Sequence, residues 1–187
     1  YHEAGHAVVN KFLTTADEVH EISIIPRGFA GGYTMSLPQE DLSYSTKNMM
    51  FEEIVSLLGG RVSEKLTLDD ISTGASNDIE QATKLARAMI TRYGMSERFG
   101  MVALETQSNP YLGGDSSLSC SPETATAIDD MVVDVVKQSY EKARKLLNDH
   151  QGKLHELAKY LYEKETITGD EFMRILSQKE LGSEEES

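Results

Sequence analysis

The residues of this chain best placed to do chemistry are among its first few: His2, Glu3 and His6, in the run His2-Glu3-Ala4-Gly5-His6. On an α-helix, positions four apart lie on one face a turn apart, so two imidazoles at this spacing reach the same ion. Neutral imidazole nitrogen suits zinc, at about 2.0–2.1 Å. The carboxylate of Glu3 sits beside the first imidazole, where it reaches a water rather than the ion. A zinc with an open position lowers the pKa of such a water to about 7. Glu3 is then the general base, accepting the proton as water attacks a peptide carbonyl and passing it to the leaving amine. A chain of this size and composition carries the pattern by chance about once in seventy. The plain alternative is a pair of core histidines that only hydrogen-bond. A purely structural zinc is disfavoured, because such sites are usually rich in thiolate and the only thiol is Cys120.

A catalytic zinc usually takes three protein ligands, so one more is owed. His20 falls in a strand-like run, and His150 and His155 in helical patterns; all three read as solvent-facing. A carboxylate is therefore favoured, and Glu64, Asp69, Asp70, Asp78 and Glu80 all follow at plausible distance. Asp78 stands out because it occupies the first turn of a helix, although a carboxylate there also balances the helix dipole.

The elements that must position these groups follow from the apolar pattern. The segment His2 to Leu13 reads as a helix with Val9, Phe12 and Leu13 on its apolar face. Gly5 weakens a helix interior by about 1 kcal/mol and so implies close backbone approach there. Two strand-like runs follow, Val19 to Ile25 and Tyr33 to Leu37, the second placing Tyr33, Met35 and Leu37 on one face. From about Thr46 the pattern is helical, with Met50, Ile54, Leu57 and Leu58 on one side and Gly59-Gly60 marking an interruption or tight packing. A further helix carries Ile79, Ala82, Leu85, Ala86, Met89, Ile90 and Tyr93, with Ser76 or Asn77 as its cap and Gly94 as its stop. Residues 105–120 read as a loop. Ser121-Pro122 opens a long amphipathic helix, another runs through Leu154 to Leu161, and Thr168-Gly-Asp-Glu171 is a capping box for a last short one. The fold class is thus mainly α, with a small β-sheet next to the helix that carries the histidines. Residues 1–176 form one domain, a catalytic lobe over 1–100 and a helical packing part over 121–176. Residues 177–187 form an acidic tail too poor in apolar content to fold.

The formal charge of −13, from 31 acids against 18 bases, argues against a nucleic-acid partner, which needs a basic patch. No run approaches the roughly 20 apolar residues of a membrane-spanning helix, and no signal peptide is expected at the start. A single cysteine fits a reducing compartment.

Several segments together resemble the FtsH-type membrane-anchored, ATP-dependent zinc metalloproteases, the AAA proteases. They are Tyr-His-Glu-Ala-Gly-His-Ala at 1–7, Ile-Ile-Pro-Arg-Gly at 24–28, Leu-Gly-Gly-Arg at 58–61 and, most specific, Ser-Thr-Gly-Ala-Ser-Asn-Asp-Ile at 72–79. Tyr93-Gly94-Met95-Ser96 and Glu165-Thr166-Ile167 add to them. The resemblance implies that His2, His6 and Asp78 hold Zn2+, that Glu3 is the catalytic acid/base, and that Glu64 orients a ligand histidine. It implies unfolded or membrane proteins as substrates, an AAA+ ATPase module of the same polypeptide as partner, and a homo-hexamer. It also implies a bacterial inner membrane, with the peptidase domain on the cytoplasmic side, and an edge strand over 31–37 that pairs with substrate. No G-x-x-x-x-G-K-[ST] phosphate loop is present, so ATP is expected only at a module outside this sequence, of which this is the C-terminal protease part.

Overall fold

The computed structural model describes residues 1–28, 31–38, 43–107 and 116–178. Helix α1 (His2–Phe12) buries Ala4, Gly5, Ala7, Val8 and Val9, a wider stripe than the expected one. Phe12 is only half-buried, and its ring stacks on His150. Helix α2 (Lys47–Leu68) is capped by Thr46, whose hydroxyl accepts the Met49 amide, and it runs unbroken through Gly59-Gly60. Those glycines mark tight packing. A Cβ on Gly59 would stand 3.0 Å from the Gly5 carbonyl oxygen, and one on Gly5 would stand 2.5 Å from that of Gly59. Helices α1 and α2 therefore cross backbone to backbone at these glycines, which brings His2 and His6 onto α2.

A 3-10 turn (Thr73–Ala75) leads directly into α3 (Ser76–Thr91). Neither Ser76 nor Asn77 caps α3: Ala75 precedes it without a side-chain bond, and Ser72 caps the 3-10 turn instead. The helical phase begins one turn before the polar run suggests, so the capping hydroxyl moves back with it. Helix α4 (Pro122–Asp149) has the expected Ser121 cap, α5 (Gln151–Lys164) follows, and α6 (Gly169–Ser177) opens on the reciprocal Thr168–Glu171 capping box. Buried Lys153 ties α5 to α6, donating to the Ile175 carbonyl at 2.8 Å and to Glu156 at 3.1 Å.

Strands β1 (Glu18–Ser23), β2 (Tyr33–Leu37) and β5 (Thr166–Thr168) form an antiparallel sheet in the order β2-β1-β5. Strand β1 stops at Ser23, short of the expected Ile25; beyond it, Ile24 donates to the Glu165 carbonyl at 2.9 Å. Tyr33, Met35 and Leu37 do share a face, but Met35 and Leu37 are exposed while Thr34 is turned toward α1. The inward side of β2 is thus polar. Residues 105–120 are not simply a loop. Strands β3 (Glu105–Gln107) and β4 (Ser116–Leu118) pair antiparallel, with residues 108–115 outside the described set. Three-residue strands, polar except for the exposed Leu118, bury no face and so carry no alternating signal.

One apolar core joins these pieces. Ile22, Ile54, Ile128, Leu147, Leu154, Leu157 and Phe172 are all 0–1% exposed and belong to one cluster with Ala4, Val8 and Val9 of α1. Each large side chain so buried contributes roughly 1.5–3 kcal/mol. The core therefore runs from the expected catalytic lobe into the C-terminal helices. No helix among the described residues is long and apolar enough to cross a membrane. Of the acidic tail, Ser177 ends α6 and residues 179–187 lie outside the described set.

Candidate metal centre

His2 and His6 project from α1 and Asp78 from the first turn of α3. Their three atoms converge. His2 Nε2 and His6 Nε2 are 3.1 Å apart, and each is 3.2 Å from Asp78 Oδ2. A tetrahedral site with bonds of 2.0–2.1 Å has ligand–ligand edges of about 3.3–3.4 Å, close to this triangle. Among the described residues these three form the group of His, Cys, Asp and Glu side chains able to hold a metal.

The far side of each ring fixes its hydrogens. His6 Nδ1 lies 2.8 Å from the Ser56 carbonyl oxygen, which can only accept, so that nitrogen carries the proton. His2 Nδ1 lies 2.7 Å from Glu64 Oε1 and donates to it. Both Nε2 atoms of the neutral rings therefore present lone pairs to the carboxylate oxygen of Asp78. Three acceptors meeting at one point repel unless a proton or a cation lies among them. The chemistry of this donor set fits a zinc ion.

Without a cation, a proton fills that role. Burial pushes the His2 ring down, but its hydrogen bonds to Asp78 and Glu64 more than reverse this and raise its pKa. Burial pushes the Asp78 carboxyl up, yet hydrogen bonds from His2 and His6 bring it well below the usual carboxylate range. Glu64 is also lowered: burial is outweighed by bonds from His2 and from the amide and hydroxyl of Ser72.

Glu3 faces the same cleft, with Oε2 2.9 Å from the Thr34 hydroxyl on β2. The cleft has a volume of about 840 Å³ and is walled by α1, α2, the 72–78 turn and the inward side of β2. At its far end Asn10 is fully used, donating to the Asp17 carbonyl and Ser36 and accepting from Ser56.

The model for peptidase family M41 matches residues 1–175. The chain is 50% identical over 179 residues to the ATP-dependent zinc metalloprotease FtsH of Caldicellulosiruptor bescii, covering 94% of this chain and 29% of that protein. It is 52% identical over 180 residues to the ATP-dependent zinc metalloprotease FtsH 1 of Thermoanaerobacter sp., covering 95% and 30%. With the FtsH of Clostridium perfringens the identity is 49%, over 94% of this chain and 25% of that one.

The chain belongs to peptidase family M41. It spans less than a third of the length of these family relatives.

Against the family background, the other carboxylates weighed as ligands are engaged elsewhere. Asp69 pairs with Lys65 at 2.8 Å and Glu80 with Lys84 at 2.9 Å, while Asp70 accepts from the Ile71 amide. His20 is exposed, as expected. His155 is exposed too, and pairs with the Tyr1 hydroxyl at 2.7 Å. His150, expected to face solvent, is instead half-buried against Phe12, with ring centroids 3.6 Å apart.

Three contributors escaped the sequence reading. Ser56 acts through its backbone carbonyl, which no residue type announces. Thr34 reaches Glu3 from another element, and Ser72 reaches back eight positions to Glu64 only because the chain turns after α2, so neither spacing is informative. Gly60 had a signal, as a glycine inside a helical pattern. A Cβ there would lie 2.6 Å from both His2 Nε2 and His6 Nε2, in the cradle itself.

Proposed function

We propose that this chain is the peptidase part of an ATP-dependent zinc metalloprotease, hydrolysing peptide bonds with His2, His6 and Asp78 as metal ligands and Glu3 as general base. The observation that carries this is the convergence of two imidazole lone pairs and one carboxylate oxygen within 3.2 Å of one another, with both Nδ1 hydrogens committed elsewhere. Bound zinc supplies Lewis-acid chemistry, making a water acidic and stabilising charge on a carbonyl oxygen. The protein's own residues do the rest. Glu64 and the Ser56 carbonyl hold the two rings with Nε2 toward the cleft. The Glu3 carboxylate, steadied by Thr34, takes the proton from water and returns it to the departing amine.

The substrate lies along β2. That strand is at the edge of its sheet, and Gly31, Gly32, Tyr33, Thr34 and Ser36 line the cleft. An extended peptide adding to this edge gains main-chain hydrogen bonds that are indifferent to sequence, which suits broad preference. Gly32 lets β2 itself lie close to β1 and to Glu3, since a Cβ there would meet the Ser23 carbonyl and the Glu3 side chain. The relatives' names support delivery by an ATPase module of the same polypeptide. We assign unfolded or membrane proteins as substrates, a homo-hexamer as the assembly, and the cytoplasmic side of a bacterial inner membrane as the location. The residues 1–176 act as one peptidase domain.

The test is zinc content and casein hydrolysis of the wild-type chain and Asp78→Asn. One zinc per chain and proteolysis, both lost in Asp78→Asn, are expected. Full zinc occupancy in Asp78→Asn would place the third ligand elsewhere.

A further inference from the structure

Ser72 lies between the two halves of the centre and touches both. Its amide and its hydroxyl each stand 3.1 Å from Glu64 Oε2, the carboxylate whose other oxygen accepts from His2 Nδ1 at 2.7 Å. The same hydroxyl oxygen accepts the Gly74 amide at 3.1 Å, closing the 3-10 turn that runs into α3, of which Asp78 is the third residue. Its carbonyl accepts from Arg61 Nη2 at 2.8 Å, so the residue is also anchored to α2 one turn ahead of Glu64. Resting on the zinc reading above, we infer that Ser72 is a positioning residue, whose hydroxyl sets the His2 ring through Glu64 and the Asp78 carboxylate through the 3-10 turn.

The hydroxyl's inventory shows why a serine suits the place. It has one hydrogen and two lone pairs, and here the hydrogen goes to Glu64 while a lone pair takes the Gly74 amide. Alanine would remove both links and leave the Glu64 carboxylate held by one amide. His2 would keep its bond to a carboxylate that is itself free to turn. Meanwhile the 3-10 turn would lose the cap that fixes the start of α3, whose N-terminus has no side-chain cap of its own. Both errors fall on the same triangle of atoms. Ser72 itself is exposed and outside the apolar core, so its removal leaves packing untouched. A purely structural residue would lower only the stability of the metal-free protein; a positioning residue lowers metal affinity by more than that change accounts for. Partners that orient metal ligands typically contribute about 10–100-fold in affinity.

The experiment measures zinc affinity by chelator competition for the wild-type chain, Ser72→Ala, Ser72→Thr, Glu64→Gln and the Ser72→Ala/Glu64→Gln double variant, with metal-free melting temperatures beside them. The expected result is a loss of about 10-fold or more in Ser72→Ala, recovery in Ser72→Thr, and metal-free melting lowered by no more than the few degrees that one lost cap costs. The double variant should lose less than the product of the single losses, because both act through His2. The downfield His2 Nδ1 proton resonance should broaden in Ser72→Ala and vanish in Glu64→Gln. Wild-type affinity in Ser72→Ala overturns the inference, as does a loss that tracks metal-free melting, or strict multiplicativity in the double variant. Failure of the wild-type chain itself to bind zinc would instead overturn the reading of the centre.

Discussion

At the residue scale, the division of labour between Glu3 and the histidines makes separable predictions. Glu3 does not belong to the triangle of converging atoms, so Glu3→Gln should keep one zinc per chain and lose casein hydrolysis by at least about 10²-fold. His6→Ala should lose both, by metal analysis and by the same assay. Zinc-loaded Glu3→Gln that still cleaves casein would contradict its role as base. The pair of histidines and the carboxylate between them were legible, because their geometry is local: a helix alone sets it. The separation of 72 positions from His6 to Asp78 made the third member a matter of family resemblance, since its nearness depends on α2 and α3 packing first. Ser56 and Ser72 were beyond reach for the same reason, one acting through a carbonyl and the other through a turn.

At the element scale, the centre exists because α1 and α2 meet through glycine. Gly60→Ala places a methyl group in the cradle between the two Nε2 atoms, so zinc uptake should fall sharply. Gly31→Ala is the control, since a Cβ there meets nothing within 4 Å. Comparable zinc affinity in the two would mean that α1 and α2 part easily. The end of α1 is held by Glu52 on α2, which is 2% exposed and accepts from the amides and hydroxyls of both Thr14 and Thr15. Burial alone would raise this carboxyl, yet those bonds bring it down to about 2. With a folded-state pKa below the unfolded value of about 4.3, Glu52 contributes stability that is present above the unfolded value and lost as pH falls toward 2. The contribution is on the order of 3 kcal/mol. Urea unfolding of metal-free protein between pH 5 and pH 2 should show that loss, and Glu52→Gln should show less of it. Equal acid sensitivity in the two would assign the loss to other carboxylates. Caps at Ser121 and Thr168 were readable because they are one-turn chemistry. Strands β3, β4 and β5, three residues each, were not: β3 and β4 are too short to show alternation, and β5 is defined by a partner strand far back in the chain.

At the scale of the whole molecule, the centre is a staple across three helices inside a core that also includes α4 to α6. An ion that binds the folded chain and not the unfolded one stabilises it by about 2.7 kcal/mol at a hundred times its dissociation constant. For a chain of this size that is about 5–10 °C in melting temperature. Adding a chelator should produce a fall of that order in the wild-type protein and none in His6→Ala, by calorimetry. The mainly helical fold was legible from periodicity, since most helices among the described residues bury one stripe in a common core. Which way the small sheet faces was not, because β2 turns its polar side inward to serve the cleft and leaves Met35 and Leu37 outside.

The most direct test of the central claim is zinc K-edge X-ray absorption on the loaded chain. The predicted spectrum has two imidazole shells at about 2.0 Å, the remaining scatterers oxygen and none sulfur, while His6→Ala treated alike retains no zinc to give a spectrum. A wild-type spectrum with a single imidazole, or a His6→Ala sample that gives the wild-type spectrum, would contradict the account.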